Sequence, residues 1–307
     1  MKEIVISSGD PVGCGPRITL EAIANLSAQP FDFFVVGDKV IFERVPGYTA
    51  LRNRFDLIDM KTPGIRRLRS GYPTKLSGHA SLRYLAGALQ LLDRQRMFRL
   101  VTAPLSKEAV QLYMPRFIGH TEYLARYFGV KNAQMLMMSG KLKIILFTRH
   151  CALRKVSALI TREALCLALR QVRQELIKLF NINRPRIVVA SFNPHAGINT
   201  FLEREETIVR DAIHKSACGA TGPFPADTLF LHRNINRYDC IVCLYHDQAM
   251  IPFKLLSFRD GVNVTLGLPV IRTSPAHGTA FDLVRQRIAP SWTSMAQAIK
   301  IAARLSL

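Results

Sequence analysis

Short apolar runs alternate along the chain with longer stretches in which apolar residues recur every three or four positions. The short runs predict strands at 3–8, 31–37, 99–103, 133–139, 143–148, 186–192, 240–245 and 262–267. Most are continuous Val- and Ile-rich segments without strict alternation, the pattern of strands covered on both faces. The longer stretches predict helices at 16–27, 78–96, 120–129, 161–180, 203–217 and 291–305. In "TREALCLALRQVRQELIKLF", Thr161 is placed to cap, Glu163 falls in the first turn and leucines follow at helical spacing. Strands and helices in alternation imply an α/β fold with largely parallel sheets flanked by helices. No internal repeat or low-complexity linker marks a lobe boundary.

Composition narrows the setting. At 307 residues and 49% apolar, the chain can build two compact lobes or one large domain around a sizeable core. No apolar run reaches the roughly 20 residues needed to cross a bilayer. "MKEIVISSGD" has neither the apolar length nor the cleavage site of a signal peptide. The expectation is a cytoplasmic protein with no membrane partner. Six scattered cysteines then read as reduced thiols. Cys240-x-x-Cys243-x-x-His246 has the look of a zinc set, but the segment reads as a strand, where side chains three apart face opposite ways. The net charge of +20 raises nucleic acid as a partner. The basic residues are dispersed, densest from Arg52 to Arg99, and no aromatic residues interleave with them as a stacking platform requires. A solvated basic surface that draws in small acidic substrates is the better reading.

Ligands of open α/β sheets sit beyond the carboxyl ends of the strands. Beyond "KIILFT" stands His150, beyond "RIVVASF" stands His195, and beyond "CIVCLY" stands His246. Three neutral imidazoles so placed can converge on one divalent ion and leave room for water or substrate. "GDPVGCGPRITL" turns from the first strand into a helix, with Pro16 suited to its first turn. In "GHTEYLA", Thr121 is placed as a helix cap and His120 can meet a phosphate at the helix start. Lys254, Arg272 and the helix start at His277-Gly278-Thr279-Ala280 could together hold a phosphate and a carboxylate.

With these residues in hand, the chain resembles the 4-hydroxythreonine-4-phosphate dehydrogenases of vitamin B6 biosynthesis. The matching blocks are "GDPVGCGP", "TAPLSKEA", "GHTEYLA", "NPHAG", "PADTLF", "YHDQ", "VNVTLGLPVIRTS" and "HGTAFDL", in the family's order from residue 9 to 283. The resemblance implies a homodimer of two-lobed chains, related in fold to the isocitrate and isopropylmalate dehydrogenases, with a cleft between the lobes. The expected lobes are 1–132 plus 270–307, carrying the cofactor loop, and 133–269, on the metal and dimer side. It implies metal ligation by His150, His195 and His246, and substrate contacts from His120, Thr121, Lys254, Asn263 and Arg272. It places NAD or NADP against His277, Gly278, Thr279 and Asp282. Asp247 and Asp227 are candidates for orienting the metal shell or moving a proton. The metal is open among zinc, magnesium, cobalt and manganese, with all-histidine ligation leaning to softer ions.

The implied reaction oxidises 4-phosphooxy-L-threonine and decarboxylates the product to 3-amino-2-oxopropyl phosphate. A dehydrogenase of four-carbon sugar-acid 4-phosphates, erythronate or threonate, is the nearest rival. A phosphate-acyl transferase-like protein and a basic nucleic-acid-binding protein are remoter ones. Arg17, Ile198, Ala249 and Ala276 depart from the family pattern. The last replaces an acidic residue before "HGTA" and bears on the choice between NAD and NADP.

Overall fold

The structure, a computed structural model, describes residues 2–26, 28–197, 203–257 and 259–307. Its strands are β1 (Lys2–Ser7), β2 (Phe31–Gly37), β3 (Asp56–Asp59), β4 (Arg99–Thr102), β5 (Gln134–Ser139) and β6 (Leu142–Leu146). They continue as β7 (Ile187–Ala190), β8 (Thr221–Phe224), β9 (Cys240–Cys243), β10 (Val262–Leu266) and β11 (Ile271–Pro275). The helices that matter to the site are α1 (Gly15–Asn25), α2 (Lys75–Gln95), α3 (His120–Tyr127) and α4 (Arg162–Phe180). With them go α5 (Glu203–Ser216), α6 (His246–Ser257), α7 (Phe281–Arg285) and α8 (Thr293–Arg304). The chain divides into two compact units, one of Met1–Gly129 with Leu268–Leu305 and Leu307, the other of Val130–Gly267 with Ser306.

In the first unit the strand order is β3-β2-β1-β4-β11, every pair parallel. Ile4, Val5 and Ile6 of β1 are fully buried, as a continuous apolar run between helical layers should be. In α8, Met295, Ala298, Ile299 and Ala302 repeat at helical spacing and form its buried face. A capping box starts α2: the Ser77 amide donates to the Thr74 hydroxyl, and the Thr74 amide to the Ser77 hydroxyl. Gly9, just after β1, has φ +74°, and a Cβ there would collide with the Pro104 carbonyl. That close approach is what sets the "GDPVG" loop against the end of β4.

The second unit orders its strands β10-β5-β6-β9-β7-β8. β6, β9, β7 and β8 run parallel. β5 and β6 pair antiparallel, because only Gly140 and Lys141 join them and so short a link reverses the chain, and β10 also pairs antiparallel with β5. Thr161 accepts from the Ala164 amide and caps α4, as its position in the sequence predicts.

Three strands escape the apolar pattern, each for a physical reason. β3 and β8 are edge strands, the first flanked by aspartates and the second carrying Gly222 and Pro223, residues that edges tolerate. β11 reads as polar because Arg272, Thr273 and Ser274 are buried between Ile271 and Pro275. α6 was hidden behind an apparent strand ending in polar residues and by Pro252 within it. Thr121 does not cap: α3 begins at His120 after Gly119, with no side-chain cap bond. The helix expected to open at His277-Gly278-Thr279-Ala280 begins only after that block, at Phe281.

Candidate active site

In the first unit, Arg272 lies on β11 and is only 2% exposed. Its Nη2 donates to the Thr102 hydroxyl at the end of β4 at 2.7 Å, and its Nε reaches the same oxygen at 3.2 Å. Burial pulls the guanidinium down to about 10, while Glu122 acts in the opposite sense. It therefore remains a cation at neutral pH, and a buried cation is costly unless anions or dipoles face it. His120 starts α3, and its Nε2 is buried with no hydrogen-bond partner. Burial first, then Arg272 and Lys107, push its pKa well below the usual histidine value. The imidazole thus stays neutral and offers one N–H to an oxyanion. Thr121 is buried beside it in the first turn. A buried cation, a neutral imidazole with an orphan nitrogen and a helix start together suit an anionic ligand.

In the second unit, β6, β9 and β7 lie side by side and parallel, and each leads at its carboxyl end toward one candidate histidine. His246 is the first residue of α6. Its ring centroid lies 6.3 Å from that of His150. Its Nδ1 is 2.7 Å from Asp247 Oδ1, which orients the ring and leaves Nε2 outward. His195 sits in the turn Pro194–Gly197 with φ 54° and ψ 23°. All three imidazoles are exposed. Among the described residues no three His, Cys, Asp or Glu side chains are grouped to hold a metal, so His195 does not join the other two within this chain. Two exposed imidazoles at this spacing, one backed by a carboxylate, do fit a divalent ion of borderline softness.

The remaining candidates are spread over both units. Asn263, on β10, has a buried Oδ1 with no partner, and Lys254 is exposed on α6. Asp227 is exposed in the short helix Ala226–Leu229. Cys240 and Cys243 are both fully buried in β9, and burial pushes the Cys240 thiol up to about 12 and Cys243 upward as well. Neither shares the exposed setting of His246.

In the first unit, the loop 277–280 packs on the "GDPVGCG" loop. The Cys14 amide donates to the Thr279 carbonyl at 2.9 Å, and a Cβ on Gly13 would stand 3.1 Å from that same oxygen. His277, Gly278 and Asp282 are exposed. Of the positions that depart from the family pattern, Arg17 pairs with Glu21 at 2.8 Å, Ala249 is buried in α6, and the Ala276 amide donates to Ser294. Ile198 lies outside the described residues.

Comparison with known proteins decides the family. The model of the pyridoxal phosphate biosynthetic protein PdxA family matches residues 10–302. The chain belongs to the PdxA family. It is 39% identical to the 4-hydroxythreonine-4-phosphate dehydrogenase of Geobacter metallireducens, over 99% of this chain and 95% of that one. The crystal structure of the Klebsiella pneumoniae 4-hydroxythreonine-4-phosphate dehydrogenase superposes with a TM-score of 0.84 at 34% identity, covering 98% and 100% of the two chains. A β-decarboxylating dehydrogenase from Thermococcus kodakarensis shares the fold alone, with a TM-score of 0.51 at 13% identity.

Two residues near the ends of β7 and β9 were given no role by the sequence. Gln248 is buried; its Oε1 accepts from the Leu244 amide at 2.8 Å and its Nε2 donates to the Ser191 carbonyl at 2.7 Å. It ties the carboxyl end of β9 to that of β7, which is why a buried strand gives way to "HDQ". Glu206 is buried on α5 and accepts from the Asn193 amide at 2.6 Å, steadying the turn that carries His195. Burial raises its pKa above the usual carboxylate value. Its signal was its spacing: it falls three residues before Val209, on the buried face.

Proposed function

We propose that this chain is a divalent-metal-dependent, NAD- or NADP-dependent 4-hydroxythreonine-4-phosphate dehydrogenase acting in pyridoxine 5′-phosphate biosynthesis. It would oxidise the C3 hydroxyl of 4-phosphooxy-L-threonine and release CO₂ to leave 3-amino-2-oxopropyl phosphate. The observation that carries the reading is the near full-length relationship to proteins of that name, at 39% identity over 99% of the chain. The buried Arg272 and the orphaned His120 nitrogen support it, since the substrate is a phosphorylated hydroxy acid.

The chain's own residues then have distinct tasks. His120, Thr121 and Arg272 hold an anionic end of the substrate, the guanidinium by paired N–H donation. Lys254 and Asn263 add a point charge and an amide to substrate binding. Fixing the phosphate away from the reacting carbon turns remote binding energy into orientation. His150, His195 and His246 would hold the metal, with Asp247 setting the His246 tautomer. Asp227 is the candidate for moving a proton. When bound, the ion polarises the reacting oxygen and the nicotinamide takes the hydride.

The same reading makes the working unit a cytoplasmic homodimer, with the second copy supplying what the His150–His246 pair lacks. Exposed Ile251, Leu255 and Leu256 on α6, directly after His246, support a covered surface there. Purified protein incubated with 4-phosphooxy-L-threonine, dinucleotide and a divalent metal should reduce the nicotinamide. A clear preference for erythronate or threonate 4-phosphate would replace the substrate assignment.

A further inference from the structure

The first unit contains a cavity of about 670 Å³ beside the loop 277–280. Five arginines line it: Arg17, Arg44, Arg69, Arg285 and Arg287. No Asp or Glu is among its described lining residues. Arg17 pairs with Glu21. Arg44 instead donates to the Leu68 and Arg66 carbonyls at 2.9 and 2.6 Å, which fixes its guanidinium without neutralising it. Arg285 donates to the Gly71 carbonyl at 3.2 Å, and Arg69 stacks over the Tyr72 ring at 4.3 Å. Val12, Ile41, Val45 and Ile288 supply apolar wall, and Tyr72 an aromatic one.

This combination suits a nucleotide: apolar and aromatic surface for the base and arginines for phosphate. It also carries more positive charge than a dinucleotide pyrophosphate alone calls for. The residues that would read an unmodified ribose are missing. Dinucleotide sites of the NAD type place a carboxylate on the ribose 2′-hydroxyl, whereas arginine accommodates a 2′-phosphate. Asp282, the nearest carboxylate in sequence to the two arginines that follow it, is exposed in the first turn of α7 and does not line the cavity. Arg285 and Arg287 do line it, at and just beyond the end of the same helix.

We propose that this cavity receives the 2′-phosphorylated adenosine end of the nicotinamide cofactor, with Arg285 and Arg287 as the residues that select NADP over NAD. The proposal rests on the dehydrogenase reading above for the identity of the cofactor. It goes beyond that reading in assigning the preference and the residues that set it.

The test is calorimetric titration of the intact protein with adenosine 2′,5′-bisphosphate and with 5′-ADP, which has the same number of phosphates but none at the 2′ position. The 2′,5′-bisphosphate should bind about tenfold tighter or more, the value of one charge-assisted bond. The exposed-surface variants R285A and R287A should each reduce that preference, and the double variant should abolish it. Equal affinity for the two nucleotides in the wild type would overturn the proposal, as would a preference undiminished in the double variant. The two readings fail separately. Loss of the 2′ preference leaves dinucleotide turnover to test the dehydrogenase, and absence of turnover with a retained preference strikes the dehydrogenase while upholding the cavity.

Discussion

The two units present their chemistry in opposite ways. In the first, Arg272 and the His120 nitrogen are buried, held on β11 and at the start of α3, and carry their charge states with them. In the second, His150, His195 and His246 are exposed beyond the ends of adjacent strands, and His246 is oriented by the Asp247 carboxylate. Burial holds the Arg272 guanidinium against Thr102 and leaves the His120 Nε2 without a partner, so on the proposed function this region would be organised in advance of an anion. Exposed imidazoles cost little to leave alone. On the proposed function they would form a ligand set that assembles when an ion, and a second copy of the chain, arrive. Burial thus separates the two sets of candidate residues, one fixed within the fold and the other at its surface.

Substitutions should break this contrast unevenly. The largest effect falls on the exposed set: H195A or H246A should lower kcat to below about a thousandth and remove bound metal, while far-ultraviolet circular dichroism stays native. Full metal content in those variants would remove the histidines from the site. R272A comes next. It removes a buried cation and should raise KM about a hundredfold, near 3 kcal/mol, with a measurable drop in thermal stability. K254A, from an exposed position, should raise KM by about tenfold or less and leave stability unchanged.

A separate effect, on stability and not on turnover, tests the buried region by pH. Asp10 is fully buried; its Oδ1 accepts from the Val12 amide and its Oδ2 has no partner. Burial lifts its pKa from 3.8 to about 6. The folded state then holds a proton that the unfolded state has lost. Stability should therefore fall as pH rises from about 4 through 6, by a few kcal/mol at most. Melting curves of D10N should lack that slope, and an unchanged slope would mean that Asp10 is not its source.

Legibility followed burial and polarity. The apolar strands and the Thr161-capped α4 were plain in the sequence because their pattern serves packing alone. β11 was missed because it buries Arg272, Thr273 and Ser274 where packing alone would have chosen Val or Ile. The three histidines were singled out by their positions after strands; the order β6-β9-β7 goes with a 6.3 Å separation of the His150 and His246 rings, while His195 does not join them within this chain. The roles of Gln248 and Glu206 were not legible because each acts by bonding backbone groups that the fold brings to it, although Glu206 does fall on the apolar face of its helix. The left-handed turn at His195 gave no warning in the sequence either, since a non-glycine residue occupies it.

The central claim is that this chain couples metal binding by its histidines to oxidation of a phosphorylated hydroxy acid. Its most direct test is the absorbance of reduced nicotinamide formed from 4-phosphooxy-L-threonine by metal-stripped protein, before and after a divalent ion is restored. The account predicts no appreciable signal before, and on restoration a signal accompanied by CO₂ in equal amount. A full rate in the stripped protein, or no reduction of the nicotinamide with any divalent ion supplied, would contradict it.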